Sequence, residues 1–234
     1  MKDRILVALD VETRDAALRL ADTLRGSVGG FKIGSRLFTA EGPAMVRALA
    51  ERGDRGRHRV RNVVELEVEE DAVAAATELG VWMVNVHAGG GTAMMRAARE
   101  AAHETSAKRG TTPPLVIAVT VLTSMNQASL REAGVVIDLM DQVLRLAELT
   151  KDAGLDGVVA SPQETRAIRA RCGAGFAIVT PGIRGGAAGD AKNDQERTMA
   201  PAEAVAAGAS YIVVGRPIIA AADPLAAACA IAGA

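Results

Sequence analysis

A (β/α)8 barrel is the fold this sequence predicts, and three observations carry it. Short apolar runs alternate with longer amphipathic stretches along the whole chain. The runs are continuously apolar, which marks parallel strands buried on both faces beneath a layer of helices. The chain has 234 residues, and a single α/β barrel of roughly 200–250 residues is ordinary.

The elements follow in chain order. Ile5-Leu-Val-Ala-Leu9 reads as a buried strand, and residues 13–24 as a helix with Ala16, Leu18, Leu20, Ala21 and Leu24 on its apolar side. A second strand spans 31–33 and a helix 43–51. Strands at 82–86 and 115–121 flank a helix at 94–102. A helix at 137–153, a strand at 157–160, a helix at 163–171 and a strand at 177–179 come next. A helix at 202–207, a strand at 211–214 and a last helix after Ala220 close the chain. These are seven strands, so a barrel of eight predicts one more between residues 51 and 78. No linker-like shift in composition divides the chain, which reads as one domain over 1–234 with an anomalous segment at 56–71. A doubly wound open sheet is the alternative arrangement of the same elements.

Composition narrows the function. Lys and Arg number 27 against 28 Asp and Glu, a formal net charge of −1. That balance removes the global attraction on which non-specific nucleic-acid and membrane-surface binding rely. One Trp and one Tyr leave no stacking platform for single-stranded nucleic acid. Cys172 and Cys229 lie far apart without metal-ligand spacing and fit a reducing compartment. The apolar run 5–9 is too short for a signal-peptide core, and Asp223-Pro224 interrupts the Ala-rich C-terminal stretch. The expectation is a cytoplasmic enzyme.

In such a barrel the chemistry sits at the C-terminal ends of the strands. Those ends present Asp10, Lys32, His87, Thr123-Ser124, Ser161, Arg184 and Gly215-Arg216. Gly215 lets backbone N–H groups approach an anion, and Arg216 can neutralise it. Thr180-Pro-Gly-Ile-Arg184 brings a second arginine beside the first, which favours a phosphate monoester over a carboxylate. Lys32 sits between Phe31 and Ile33, and a lysine in a buried strand needs a partner. Asp10 also reads as a residue near a helix N-cap, His87 as structural, and Gly89-Gly-Gly91 as a turn from strand into helix.

The residues then resemble a known family. Val7-Ala-Leu-Asp10, Phe31-Lys-Ile-Gly34, Val81-Trp-Met-Val-Asn-Val-His-Ala88, Ala118-Val-Thr-Val-Leu-Thr-Ser124, Gly154-Leu-Asp-Gly-Val-Val159, Val179-Thr-Pro-Gly-Ile-Arg184 and Val214-Gly-Arg-Pro217 run in the order found in the orotidine 5′-phosphate decarboxylases. The resemblance implies decarboxylation of orotidine 5′-monophosphate to UMP in pyrimidine synthesis, without metal or organic cofactor, by a homodimer. It implies that Asp10 holds the ribose and that Lys32 belongs to a catalytic Lys-Asp-Lys-Asp charge array. Thr123 and Ser124 would meet the pyrimidine, and Arg184, Gln195, Gly215 and Arg216 the phosphate. Residues 182–195, rich in Gly and Ala, would form a lid closed by phosphate binding.

One segment departs from the family pattern. The family's Asp-x-Lys-x-x-Asp strand supplies the lysine that protonates the carbon losing CO2, and its second aspartate crosses to the neighbouring subunit. Aligned without gaps, those positions fall on Arg59, Arg61 and Val64. Reading backwards from Asp71 to Arg57 and reverse-complementing one permitted codon per residue yields V-F-L-D-L-K-F-H-D-I-P-N-T-V-A. That is the family motif, so residues 57–71 read as an inverted gene segment. A divergent strand through Val64-Glu-Leu-Glu-Val68 is the alternative. For the chain as a whole the alternatives are a related sugar-phosphate decarboxylase or aldolase, whose resemblance implies the same missing strand motif, an inactive nucleotide-phosphate-binding barrel, and a chain that does not fold stably.

Two structural expectations follow. Arg57, Arg59 and Arg61 on one inward face would each cost several kcal/mol in desolvation. A slipped strand over 63–68 would avoid that, with Val64, Leu66 and Val68 on one face and Glu65 and Glu67 on the other.

Overall fold

The apolar runs become parallel strands hydrogen-bonded in sequence order, and the last returns to pair with the first, closing an eight-stranded barrel. The computed structural model describes residues 1–53, 61–65, 70–183 and 198–233. The strands are β1 (Ile5–Ala8), β2 (Gly30–Ile33), β3 (Arg61–Glu65), β4 (Met83–His87), β5 (Leu115–Val119), β6 (Gly157–Val159), β7 (Ala177–Thr180) and β8 (Tyr211–Val214). Around them lie α1 (Arg14–Leu24), α2 (Ser35–Glu41), α3 (Pro43–Gly53), α4 (Glu70–Glu78), α5 (Gly91–Arg109) and α6 (Gln127–Glu132). The ring is completed by α7 (Leu139–Asp152), α8 (Thr165–Cys172), α9 (Pro201–Ala206), α10 (Arg216–Ile219) and α11 (Pro224–Gly233).

Helix starts follow local chemistry. The Thr13 hydroxyl accepts the Ala16 N–H at 3.3 Å, the Asn126 side chain accepts that of Ser129 at 3.0 Å, and Asp138 accepts that of Met140 at 3.4 Å. Each satisfies one of the donors a helix leaves open in its first turn. Sequence periodicity missed α2, α4, α6 and α10; α2, α6 and α10 have four to seven residues, too few to show a 3.6-residue repeat, and α4 overlaps the anomalous segment. It also shortened α5, whose ends carry few apolar side chains.

Strand alternation sorts the core into two layers. Leu6, Ala8, Val63, Met83, Ile117, Val179 and Val213 pack inside the barrel. Ile5, Val7, Ile33, Val64, Val84, Val86, Ile178 and Val214 pack outward against the helices. Both layers are buried, which is why the strands read as unbroken apolar runs.

Strand β3 settles the register. It spans Arg61 to Glu65, pairing Lys32 with Val63 and Ile33 with Val64 on one side, and Val63 with Met83 on the other. It begins two residues before the expected slipped strand, and Val64 faces outward against the helices. The expectation that an inward arginine lacks partners is corrected at Arg61. Its guanidinium sits at the N-terminal floor of the barrel, 4.7 Å from the Trp82 ring centroid and 5.6 Å from that of Tyr211. It also donates to the Asp3 carbonyl at 3.2 Å. Aromatic faces and a carbonyl replace the missing carboxylates. Gly30 makes room for this strand, because a Cβ there would collide with the Arg61 carbonyl. Arg57 and Arg59 lie outside the described residues.

A second arginine ties the same end together from outside. Arg169 on α8 donates to the carbonyls of Gly173, Ala174, Phe176 and Gly208 and to the Ser210 hydroxyl, over 2.6–3.2 Å. The Ser210 hydroxyl in turn accepts the Ile178 N–H at 3.1 Å. Desolvation lowers the Arg169 pKa. Both cysteines are free thiols, Cys172 buried and Cys229 exposed. No helix among the described residues is long and apolar enough to cross a membrane.

Candidate functional site

At the opposite, C-terminal mouth of the barrel lies a pocket of about 330 Å3. Its rim is polar, with Asp10, Thr123, Gly215 and Arg216, and its wall holds Lys32 and Asn85. Its floor is apolar, formed by Ala8, Val63, Ile117, Val179 and Val213.

Barrel closure brings the rim together. Residues 10, 32 and 215 are far apart in sequence but follow or sit in β1, β2 and β8, which are hydrogen-bonded neighbours. Lys32 lies level with Ala8, and its carbonyl accepts the Leu9 N–H at 2.9 Å, holding the chain just before Asp10. An Asp10 carboxylate oxygen lies beside Gly215, 3.5 Å from where a Cβ would stand. Thr123 follows β5 on the far side of the mouth. Among the described residues, two cations and one carboxylate border the pocket, an arrangement that attracts an anion at the β8 end and leaves a polar group for a neutral moiety.

The sequence-predicted residues separate under this geometry. Asp10, Lys32, Thr123, Gly215 and Arg216 share the pocket. Ser124 is exposed and outside its lining. Arg184, Gln195 and most of the expected lid lie outside the described residues; of the lid, Gly182 and Ile183 border the pocket, and Ile183 pairs with Met199 in a short parallel bridge. Of the altered array positions, Arg59 is outside the described residues, Arg61 is at the opposite end, and Val64 faces the helices. Among the described β3 side chains, that of Val63 lines the pocket.

Other strand-end candidates have different surroundings. Ser161 is fully buried and absent from the pocket lining, and its N–H meets a Glu164 carboxylate oxygen at 2.9 Å. His87 and residues 89–91 form the turn into α5, with Gly91 at a φ of +83° that favours glycine. The sequence reading missed Asn85. The signal was available: an amide two residues after the inward Met83 in an apolar strand is also inward.

Comparisons agree with this architecture. The family model described as "Orotidine 5'-phosphate decarboxylase / HUMPS family" matches residues 3–231. A protein of Moorella thermoacetica named orotidine 5′-phosphate decarboxylase is 51% identical, over 99% of this chain and 91% of its own length. One of the same name from Syntrophotalea carbinolica is 48% identical, over 97% and 92%. Among solved structures, orotidine 5′-phosphate decarboxylase from Lactobacillus acidophilus superposes with a TM-score of 0.83 at 30% identity, covering 98% of this chain and 97% of that one. An uncharacterized conserved protein from Geobacillus kaustophilus gives 0.82 at 33% identity, covering 98% of each. By its sequence from end to end and by its closed barrel, this chain belongs to the orotidine 5′-phosphate decarboxylase family.

Proposed function

We propose that the pocket binds orotidine 5′-monophosphate and its product UMP, and that decarboxylation between them is the reaction this site is built for. The observation that carries this reading is the convergence of Asp10, Lys32, Thr123, Gly215 and Arg216 on one mouth. In this assignment Arg216 and the Gly215 backbone hold the phosphate, with Arg184 and Gln195 from the loop after β7. Asp10 holds the ribose, Lys32 belongs to the charge array, and Thr123 meets the base. The apolar floor excludes water, which strengthens every charge interaction above it.

The reaction breaks the bond between the ring and its carboxylate, releases CO2, and leaves an electron pair on the ring carbon until a proton arrives. Catalysis therefore needs a cation that is worth more to the carbanion than to the ground state, and a proton donor at that carbon. Lys32 is the retained member of the charge array. Val63, which lines the pocket from β3, neither repels a carboxylate nor delivers a proton. A second reading follows from Arg61 and Val64, which stand at the opposite end and on the helix-facing side of the barrel: with its present strand β3 the chain binds these nucleotides and turns them over far below the family rate. Family resemblance also supports a cofactor-independent cytoplasmic homodimer, one domain per chain.

Two measurements test this. Calorimetry with UMP and uridine should show a clear preference for UMP, and equal affinities overturn the phosphate assignment. A decarboxylation assay beside the Moorella thermoacetica relative should show turnover lower by at least about a hundredfold, the lower range for a lost general acid. Matching rates overturn the second reading. The inverted-segment inference is tested by the coding DNA across residues 50–76, where codons that cannot be reverse-complemented to the motif reject it.

A further inference from the structure

Asn85 carries an unanswered donor. It is 3% exposed, and its Nδ2 is buried with no hydrogen-bond partner among the described residues. Buried amide groups are almost always paired, because leaving one unpaired forfeits its hydration with nothing in return. Asn85 also lines the mouth pocket, where Val63, Ile117 and Val119 supply hydrocarbon around it. Its register neighbours are Ile117 on β5 and Glu65 on β3. A buried donor that no described residue answers, opening onto a cavity, is a feature that a ligand acceptor would complete.

The barrel order says which end of the ligand that is. In a closed ring of eight strands β4 lies opposite β8. Gly215 and Arg216 follow β8, so a phosphate held there places the rest of the nucleotide across the mouth toward β4 and β5. Thr123, after β5, stands on the same side as Asn85.

We propose that Asn85 is a specificity-determining residue of this site, whose Nδ2 donates to an acceptor oxygen on the base of the bound nucleotide. The proposal rests on the nucleotide reading given above. It gives the pocket a second polar contact at its base end beside Thr123, and it makes a base with a carbonyl oxygen in the ring plane the moiety that the apolar wall accepts.

The test is calorimetric titration of the full chain with UMP and with ribose 5-phosphate, which keeps the phosphate and sugar and lacks the base. Wild type should bind UMP more tightly than ribose 5-phosphate. Asn85→Ala should lose about tenfold in UMP affinity, the effect of one hydrogen bond, with ribose 5-phosphate unchanged. Asn85→Asp is nearly isosteric but presents acceptors only, and should lose at least as much; it serves if the alanine variant does not fold. The proposal is overturned if either folded variant keeps its UMP affinity, or if both ligands weaken equally, which is the signature of a merely structural amide. A wild type indifferent to the base overturns the nucleotide reading itself, an outcome distinct from a preference that survives the loss of Asn85.

Discussion

The Arg61 guanidinium lies over the Trp82 ring at 4.7 Å from its centroid, on the floor of the barrel and away from the pocket. Tyr211 meets Trp82 edge-on, with ring centroids 5.1 Å apart, so cation and rings form one plug. A residue that the gapless alignment put in the proton donor's place thus serves as packing at the other end. Arg61→Ala should lower unfolding free energy by about 1–2 kcal/mol, combining the cation–π contact and the lost alkyl packing. Arg61→Lys should fall between, since an ammonium keeps the charge but lacks the planar stack. Urea unfolding followed by fluorescence of Trp82, the one Trp in the chain, reads both. Unchanged midpoints would show the plug to be energetically idle.

Replacing the anomalous segment with V-F-L-D-L-K-F-H-D-I-P-N-T-V-A should raise decarboxylation by at least about a hundredfold, through the returned proton donor. It should also raise the thermal midpoint, because the family's apolar run replaces one that carries Arg57, Arg59 and Arg61. Equal midpoints for the two chains would mean that the barrel absorbs the altered segment without cost.

Arg216→Ala should weaken UMP by about tenfold or more, as expected for losing a charge-assisted hydrogen bond. Uridine, lacking the phosphate, should bind the variant and wild type alike. A variant that loses uridine to the same degree would place Arg216 away from the phosphate.

Arg169→Ala should be among the most destabilising single substitutions outside the apolar core. It strips partners from the Gly173, Phe176 and Gly208 carbonyls together. The cost should be about 2–4 kcal/mol, depending on how many of these water can reach. Differential unfolding in urea measures it, and a change under about 0.5 kcal/mol would match an ordinary surface site.

The two thiols should differ in reactivity. Burial pushes the Cys172 pKa up, so the native fold keeps that thiol protonated and unreactive. Exposed Cys229 should be alkylated first. A raised thiol pKa makes a contribution to stability that is complete below the unfolded value near 8.5 and declines as pH rises through the folded one. Alkylation of Cys172 in native protein should therefore follow unfolding rather than the titration of a free thiol. Equal labelling rates at neutral pH would contradict this.

Much of the candidate site was legible in the residues themselves. Asp10, Lys32, Thr123, Gly215 and Arg216 each stand at or near the end of an apolar run, and in a parallel barrel every such end opens on one face. Ser124 and Ser161 satisfy the same rule in sequence, yet one is exposed outside the pocket and the other buried and absent from its lining. A strand end fixes which face a residue is near, and the loop conformation decides whether its side chain arrives.

Asn85 and Arg61 mark the boundary more sharply. The amino-acid sequence by itself determined the barrel, because buried parallel strands and their helices announce themselves through apolar run length and period. It also determined the charge at the mouth. Register was decided by tertiary structure alone. The period of a strand is two, so whether Arg61 and Val63 or Val64 turn inward depends on which carbonyls of β2 and β4 they meet. Those pairings are contacts between distant parts of the chain, and no local pattern within residues 61–65 encodes them.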